Sequence, residues 1–285
     1  MRHALSARWP ALRPAIALAL LSLGCAGVGL AIGGCGSSGS ASGRGGAARY
    51  GENAQLAYEE ALLDFRDGSC VEAEPVFSRI RREFPYSRYA ALAELRLADC
   101  KFQAGAYAEA IQAYRQFVRF RPSHDQISYA RFRIAAAYFE QIPSDWLLAP
   151  PSHERDQAPA RDALRQLRRF VLDYPQDARI GEANQMVMRT LRLLARHELY
   201  VARFYMGRGA YRGTIGRLRT LLLSYEGSGL EPEALLLLAR AHRELGDRDD
   251  AREALAELIQ RFPESEEAAE AGSLLRELGP APAPE

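Results

Sequence analysis

The chain has 285 residues, of which 48% are hydrophobic and 26% are charged, so it can bury a sizeable core and lacks the composition of a disordered protein. Its 37 lysines and arginines nearly balance its 36 aspartates and glutamates, for a formal net charge of +1. This balance does not favour nucleic acid as a partner, because nucleic-acid-binding surfaces are strongly basic.

Residues 1–34 have the pattern of a secretory signal peptide. Three arginines precede an apolar run that extends from about residue 15 to residue 32 and is interrupted by three glycines. A membrane-spanning helix would need about 20 strongly apolar residues. We therefore predict that this segment directs export and is then removed.

The apolar run ends in the sequence IGGC, which resembles the bacterial lipoprotein cleavage box and makes Cys35 the predicted lipid-bearing residue. Cys25 is the less favoured candidate, because the apolar run before it is shorter and polar Ser22 precedes it by three positions. An ordinary cysteine near a conventional cleavage site is the remaining interpretation. Residues 35–50 are rich in glycine and serine and predict a lipidated, flexible tether. By resemblance to lipoprotein sorting rules, Gly36 in place of aspartate favours the periplasmic face of the outer membrane.

From residue 51 onwards a repeated pattern predicts an all-α solenoid. A small residue is followed four positions later by a large apolar residue and twelve positions later by proline. The regular copies are Ala73, Phe77, Pro85; Ala110, Tyr114, Pro122; Ala163, Leu167, Pro175; and Ala251, Leu255, Pro263; the degenerate copy is Thr214, Leu218, Glu226. The small residue lets two antiparallel helices approach closely, the large one fills the space beside it, and the proline ends the helix.

The pattern resembles the tetratricopeptide repeat and predicts five helix pairs with a C-terminal capping helix at about residues 265–278. The predicted repeats are 51–87, 88–124, 125–177, 178–229 and 230–279, followed by a disordered Pro/Ala-rich tail at 280–285. A proline-rich insertion separates the helices of the third repeat, and an unusually long helix opens the fourth. Thr214 and Glu226 predict looser helix pairing in that fourth repeat.

The sequence contains no recognisable motif for catalysis, cofactor binding or metal binding. No histidine pairs with another at helical spacing, and neither a Gly-rich phosphate loop nor a Gly-x-Ser-x-Gly elbow occurs. His197-Glu198 lacks the second histidine of the zinc-protease motif. We therefore predict no catalytic residue, no cofactor and no metal.

Cys70 and Cys100 lie in helices that the repeat pattern makes neighbours. In an oxidising compartment they could form a disulfide that joins the first two repeats. Two separate buried thiols are an alternative that the sequence supports equally well.

Aromatic residues and arginines are concentrated in the fourth repeat. The set consists of Tyr200, Arg203, Phe204, Tyr205, Arg208, Tyr211 and Arg217. For Tyr200, Phe204 and Tyr211 we favour packing inside the repeat, on the basis of helical faces. The alternative is a protein-binding hot spot, in which arginines and aromatic side chains occur together.

Longer motifs resemble the outer-membrane assembly lipoproteins of the BamD/ComL-like family. The motifs are FPYSRYA at 84–90, YRQFVRFRPSH at 114–124, RDQAP at 155–159, and LARHELYVARFY at 194–205 followed by GAY at 209–211. The resemblance covers essentially the whole mature chain. It implies a lipoprotein box, five repeats and an interrupted third repeat, in agreement with the patterns above.

The resemblance implies a non-enzymatic scaffold of the machine that folds β-barrel proteins into the outer membrane. It implies that the C-terminal repeats bind the barrel-forming subunit, alongside other accessory lipoproteins, and that the N-terminal repeats receive unfolded outer-membrane proteins. The family's partner-contacting arginines match Arg208 and Arg217, beside and within the helix that contains Tyr211. On this basis Arg217→Glu is expected to weaken the complex without unfolding the protein.

Two other functions are compatible with the sequence. One is a periplasmic repeat adaptor for envelope constriction or peptidoglycan synthesis, although such proteins often carry a coiled coil before the repeats and none is found here. The other is an enzyme with scattered catalytic groups, which would need carboxylates that converge in a groove.

Mass spectrometry of the mature protein tests the predicted anchor. We expect an N-terminal peptide that begins at Cys35 and carries acyl chains, because the apolar run ends there. A mature N-terminus at Cys25, or an unmodified cysteine at position 35, would contradict this prediction.

Overall fold

A computed structural model describes residues 42–145 and 150–279 of the chain. The predicted signal peptide at 1–34, both lipidation candidates Cys25 and Cys35, and the tail at 280–285 lie outside these residues. Within the described ranges the chain forms eleven α-helices and one short 3₁₀ helix, with no strand.

The helices follow one another along the chain with short connections, except between α5 and α6. They are α1 Ser42–Arg66, α2 Cys70–Glu83, α3 Arg88–Gln103, α4 Tyr107–Phe120, α5 Ile127–Glu140, α6 Ala158–Asp173, α7 Ile180–Gly207, α8 Tyr211–Ser224, α9 Glu231–Leu245, α10 Arg248–Arg261 and α11 Glu266–Leu278, with a 3₁₀ helix at Ser152–Glu154 between α5 and α6. Each helix from α2 to α10 packs against the next, α9 also contacts α11, and α1 packs against α2 through the rings of Tyr58 and Phe77. The described helices therefore form five antiparallel pairs and a final cap, which confirms the predicted solenoid.

The repeated small and large residues lie at the centre of every helix pair. All ten are at most 1% exposed, namely Ala73, Phe77, Ala110, Tyr114, Ala163, Leu167, Thr214, Leu218, Ala251 and Leu255. Two first helices contribute a small residue of their own, Ala98 at 1% and Ala239 at 2% exposure. Two helix backbones can approach closely at such positions, so the repeated residues mark where the paired helices are in contact.

The ends of the helices follow from local residue chemistry. Helices α2, α4, α6 and α10 each end two residues before the proline of the repeat. Where the two helices of a pair meet, Gly68, Gly105, Gly209 and Gly246 have φ between +71° and +85°. Glycine reaches this left-handed region without the steric cost that a side chain would add.

A buried polar network joins the second repeat to the third. Asp99 on α3 is 1% exposed and accepts hydrogen bonds from the hydroxyls of Tyr114 on α4 and, at 2.7 Å, Tyr129 on α5. Arg96 and Arg133 lie 3.0 and 3.4 Å from its carboxylate oxygens. Burial, and then the negative charge of Asp99, raise the pKa of Tyr114 well above its ordinary value. These contacts fix the relative position of three helices.

Helix α1 begins earlier than the sequence predicts. Residues 35–50 were expected to form a flexible tether, whereas α1 starts at Ser42. The ring of Tyr50 packs against that of Phe84 with centroids 5.0 Å apart, so the helix is already in contact with the next element at residue 50.

The fourth repeat is as closely packed as the others, contrary to the looser pairing that Thr214 and Glu226 predict. Thr214 is fully buried, and its hydroxyl lies 3.3 Å from the carbonyl oxygen of Ala202 on α7. A threonine therefore fits the small-residue position because its hydroxyl bonds to the facing helix. Glu226 forms an ion pair with Arg261 at 2.8 Å.

Cys70 and Cys100 form a disulfide between the first residue of α2 and the second half of α3. Their sulfurs are 2.19 Å apart and their Cα atoms 5.5 Å apart. The bond joins the first repeat to the second.

Removal of this disulfide should destabilise the N-terminal repeats. A crosslink that closes a loop of this length (sequence separation 30) stabilises a fold by about 3 kcal/mol, so the Cys70→Ser/Cys100→Ser variant should lose about that much unfolding free energy in urea. Wild-type protein measured with reductant is the matched control and should behave like the variant. Alkylation of both thiols in denatured, unreduced wild-type protein would show that no disulfide exists.

Candidate partner-binding site

An exposed ridge of aromatic and arginine side chains runs along the second half of α7. Tyr200 is 42% exposed and Phe204, one helical turn later, is 50% exposed. Arg208 follows one further turn along and is also exposed, with its guanidinium carbon 4.6 Å from the centre of the Phe204 ring. We call Tyr200, Phe204 and Arg208 the α7 ridge.

The phase of α7 explains the exposure of this ridge. From residue 191 onwards the buried side chains of α7 are Leu191, Leu194, Ala195, Glu198, Leu199 and Ala202, which share one face. Residues 200 and 204 lie on the opposite face at 100° per residue. The expectation that Tyr200 and Phe204 pack inside the repeat is therefore wrong, whereas Tyr211 is partly buried at the start of α8.

A tight turn between α7 and α8 holds Arg208 and Tyr211 at its two sides. The backbone N–H groups of Arg208 and Ala210 both donate to the carbonyl of Tyr205, at 3.1 and 2.9 Å. Gly213, in the first turn of α8, lies against the Tyr205 ring, and a Cβ added there would be 3.2 Å from a ring carbon. The turn therefore places Tyr211 near Arg208, which is the last residue of the α7 ridge.

Arg217 has a different environment from Arg208. Its guanidinium lies 3.2 Å from a carboxylate oxygen of Glu198 on α7, whose side chain is 8% exposed, while its own side chain is 42% exposed. The hydrogen bond to Glu198 raises the pKa of Arg217 above its ordinary value, and the hydroxyl of Tyr205 adds to this effect. Arg217 therefore neutralises a buried carboxylate within the chain and exposes only part of its side chain to a partner.

Two neighbouring elements support α7 from either side. Arg203 forms an ion pair with Glu233 on α9, which links the fourth repeat to the fifth. From the other side, His197 donates through Nδ1 to the carbonyl oxygen of His153 at 2.7 Å, and the His153 ring packs edge-on against Tyr200 at 5.7 Å. The insertion of the third repeat thus contacts the helix that carries the ridge.

The structure brings together some of the residues that the sequence singled out. Arg208 and Tyr211 flank one turn, whereas Arg217 lies further along α8 and is engaged with Glu198. In the sequence, Glu198 stands out only as part of an incomplete zinc-protease motif. Its true partner lies 19 positions later, a distance at which no local pattern signals contact.

The helix pairs define a tetratricopeptide-repeat protein, and a tetratricopeptide-repeat family model matches residues 236–279. The family model YfiO, described as outer membrane lipoprotein, matches residues 51–256, and the chain belongs to this family. The resemblance stated from the motifs is thereby confirmed. Among the described helices, none is both long and apolar enough to cross a membrane.

Curated relatives are similar to this chain over most of its length. The chain is 29% identical to the outer membrane protein assembly factor BamD of Caulobacter vibrioides, over 81% of this chain and 73% of the relative. It is 26% identical to the BamD of Neisseria meningitidis, over 73% of this chain and 79% of the relative. Among solved structures, the TPR2AB domain of yeast Sti1 in its pHSP90 complex is similar with a TM-score of 0.41 and 12% identity, over 80% of this chain and 86% of that one.

A double-mutant cycle measures the coupling energy of the ion pair between Glu198 and Arg217. We expect a coupling energy of about 1 kcal/mol from Glu198→Gln, Arg217→Gln and the double variant in urea denaturation, because one partner is buried and the other is partly solvated. Arg217→Glu should cost more stability than Arg217→Gln, since it places a second carboxylate beside a buried one. A coupling energy within about 0.3 kcal/mol of zero would mean that the two residues act independently.

Proposed function

We propose that this chain is a non-catalytic scaffold for the assembly of β-barrel proteins in the outer membrane, and that the α7 ridge binds the barrel-forming subunit. The observation that carries the proposal is the exposure of Tyr200 and Phe204 on one face of α7, beside Arg208. Membership of the outer membrane lipoprotein family, and the assembly factors among its relatives, support the general role.

The α7 ridge has the chemistry of an interface hot spot. Aromatic residues and arginine dominate the energetically important positions of protein interfaces, because they bury a large area at low entropic cost. The face of Phe204 holds the Arg208 guanidinium by a cation–π contact, so less rotamer freedom remains to be lost when a partner binds. A carboxylate on the partner could accept two parallel hydrogen bonds from this oriented guanidinium.

The first repeat offers a separate surface for unfolded barrel proteins. Leu56 and Leu63 on α1 are 65% and 61% exposed and lie two helical turns apart on one face. They line an open groove of about 650 Å³ together with Leu62, two tyrosines and the charged residues Glu59, Glu60 and Arg66. Exposed apolar side chains of this kind can bind the alternating apolar residues of an unfolded β-strand without demanding a defined sequence.

The predicted lipid anchor determines where the chain acts. A lipid on Cys35 would hold the solenoid at the periplasmic face of the outer membrane, where barrel proteins arrive unfolded. Several acyl chains on one cysteine would anchor firmly, because each buried methylene contributes about 0.8 kcal/mol. Other accessory lipoproteins of the same machine are the further proposed partners.

Affinity purification from detergent-solubilised membranes tests the ridge. Phe204→Ala and Arg208→Glu should each reduce the recovered barrel-forming subunit at least tenfold, because the loss of a hot-spot residue costs about 2 kcal/mol or more. Arg219→Glu is the matched control, since it makes the same charge change at an exposed position on α8. Circular dichroism of each variant should be unchanged.

The same purification separates the two proposed surfaces. Leu56→Glu/Leu63→Glu should retain the barrel-forming subunit and lose chemical crosslinks to unfolded outer-membrane proteins. Full recovery of the barrel-forming subunit with Phe204→Ala and Arg208→Glu would refute the role of the ridge. Recovery of cell-division proteins in place of assembly subunits would favour the envelope-constriction alternative.

A further inference from the structure

The turn between α9 and α10 gathers one histidine and two carboxylates around a common centre. His242 lies in the last turn of α9. Asp247 occupies the N-cap position of α10, and Asp250 lies in the first turn of that helix. The Nδ1 atom of His242 is 3.6 Å from Oδ2 of Asp247 and 3.4 Å from Oδ2 of Asp250. All three potential ligand atoms lie within 4.8 Å of one another.

The histidine of this cluster is buried and incompletely satisfied. His242 is 4% exposed, and its Nδ1 atom is buried without a hydrogen-bond partner. Both carboxylates lie beyond the 2.7–3.2 Å range of an ordinary N–H···O hydrogen bond. Since buried polar atoms normally have a partner, this nitrogen needs an explanation.

The helix termini explain the two aspartates but leave the histidine unexplained. Carboxylates are stabilised at the start of a helix such as α10 by its exposed N–H groups and its dipole. That effect alone would allow hydrogen bonds from the backbone, yet the side chain of Asp247 makes no capping hydrogen bond. The carboxylates instead converge on His242.

The distances agree with those between ligands of one metal ion. Zinc binds imidazole nitrogen and carboxylate oxygen at about 2.0–2.2 Å in tetrahedral geometry, which places neighbouring ligand atoms about 3.4 Å apart. The two measured nitrogen–oxygen separations are 3.4 and 3.6 Å. The imidazole disfavours calcium and magnesium, which prefer oxygen ligands alone.

We propose that His242, Asp247 and Asp250 form a binding site for a divalent transition metal of the zinc class, with water as the fourth ligand. An open pocket of about 640 Å³ borders both aspartates, so solvent reaches the carboxylate side of the cluster. The two aspartate side chains are about half exposed, while the histidine is held rigidly by the core. From the sequence we expected no metal, because no two histidines pair at helical spacing. Here the further ligands are carboxylates from the turn and helix that follow His242.

A metal at this position would connect the two helices of the last repeat. Gly246 allows the reversal of the chain with φ +85°, and the ion would join the end of α9 to the start of α10 across that turn. Arg248 and Arg252 also border the pocket, and Arg252 lies 2.6 Å from Asp249. Their positive charges lower cation affinity, so a site with moderate affinity is expected.

Metal titration of the untagged full chain, purified in detergent, tests the proposal. We expect one equivalent of Zn²⁺ to bind by calorimetry, and Co²⁺ to bind with the visible absorption of a tetrahedral site. Asp247→Asn and Asp250→Asn should each weaken binding at least tenfold. Asp249→Asn is the matched control and should bind like the wild type, because this neighbouring carboxylate pairs with Arg252 and not with His242.

A thermal measurement provides a second readout. Zn²⁺ at a hundredfold excess over Kd should raise the melting temperature of the wild type and of Asp249→Asn by about 5 °C, and should not raise that of Asp250→Asn. Absence of stoichiometric binding, or equal binding by wild type and both ligand variants, would overturn the proposal. It would also be overturned if NMR titration found His242 protonated near neutral pH and unaffected by Zn²⁺, since the cluster would then be an ion pair.

Discussion

The solenoid depends on one recurring contact, in which a small residue and a large apolar residue one turn later meet the first helix of the same pair. Each such pair in the described repeats is almost completely buried, from Ala73 and Phe77 to Ala251 and Leu255. Because a repeat contacts mainly its neighbours, these local contacts add along the stack and no single central core is needed. The disulfide between Cys70 and Cys100 and the network around Asp99 reinforce the same arrangement between successive repeats.

The fourth repeat departs from the pattern at Thr214 and contains the longest of the described helices. Thr214 keeps the small-residue position buried by bonding to Ala202, so α7 and α8 remain closely packed. Helix α7 has 28 residues and is therefore about 42 Å long. Its second half is buried on one face by the repeat and is steadied by the insertion at His153, while Tyr200 and Phe204 remain exposed on the other. A rigid helix is a better support for an interface than a mobile loop, since less conformational entropy is lost on binding.

The features that sequence reasoning predicted correctly are those set by residues close together in the chain. The prolines that end helices, the glycines of the turns and the small residues of each pair all act locally, so spacing identifies them. The exposure of Tyr200 and Phe204 was missed because it depends on which face of α7 the neighbouring helices cover. The pairing of Arg217 with Glu198, and the convergence of His242 with Asp250, depend on the angle between two helices, which no periodicity encodes. The start of α1 at Ser42 was likewise missed, because the glycines at 43, 45 and 46 have weak helix propensity and indicate a tether.

The central claim is that the exposed face of α7 contacts the barrel-forming subunit in the assembled machine. Site-specific photocrosslinking in living cells measures this most directly, with a photoreactive amino acid placed at position 204 and, for comparison, at Leu172, which is 80% exposed on α6. We predict a strong crosslink to the barrel-forming subunit from position 204 and none from position 172. Crosslinks from position 172 together with none from position 204 would contradict the account.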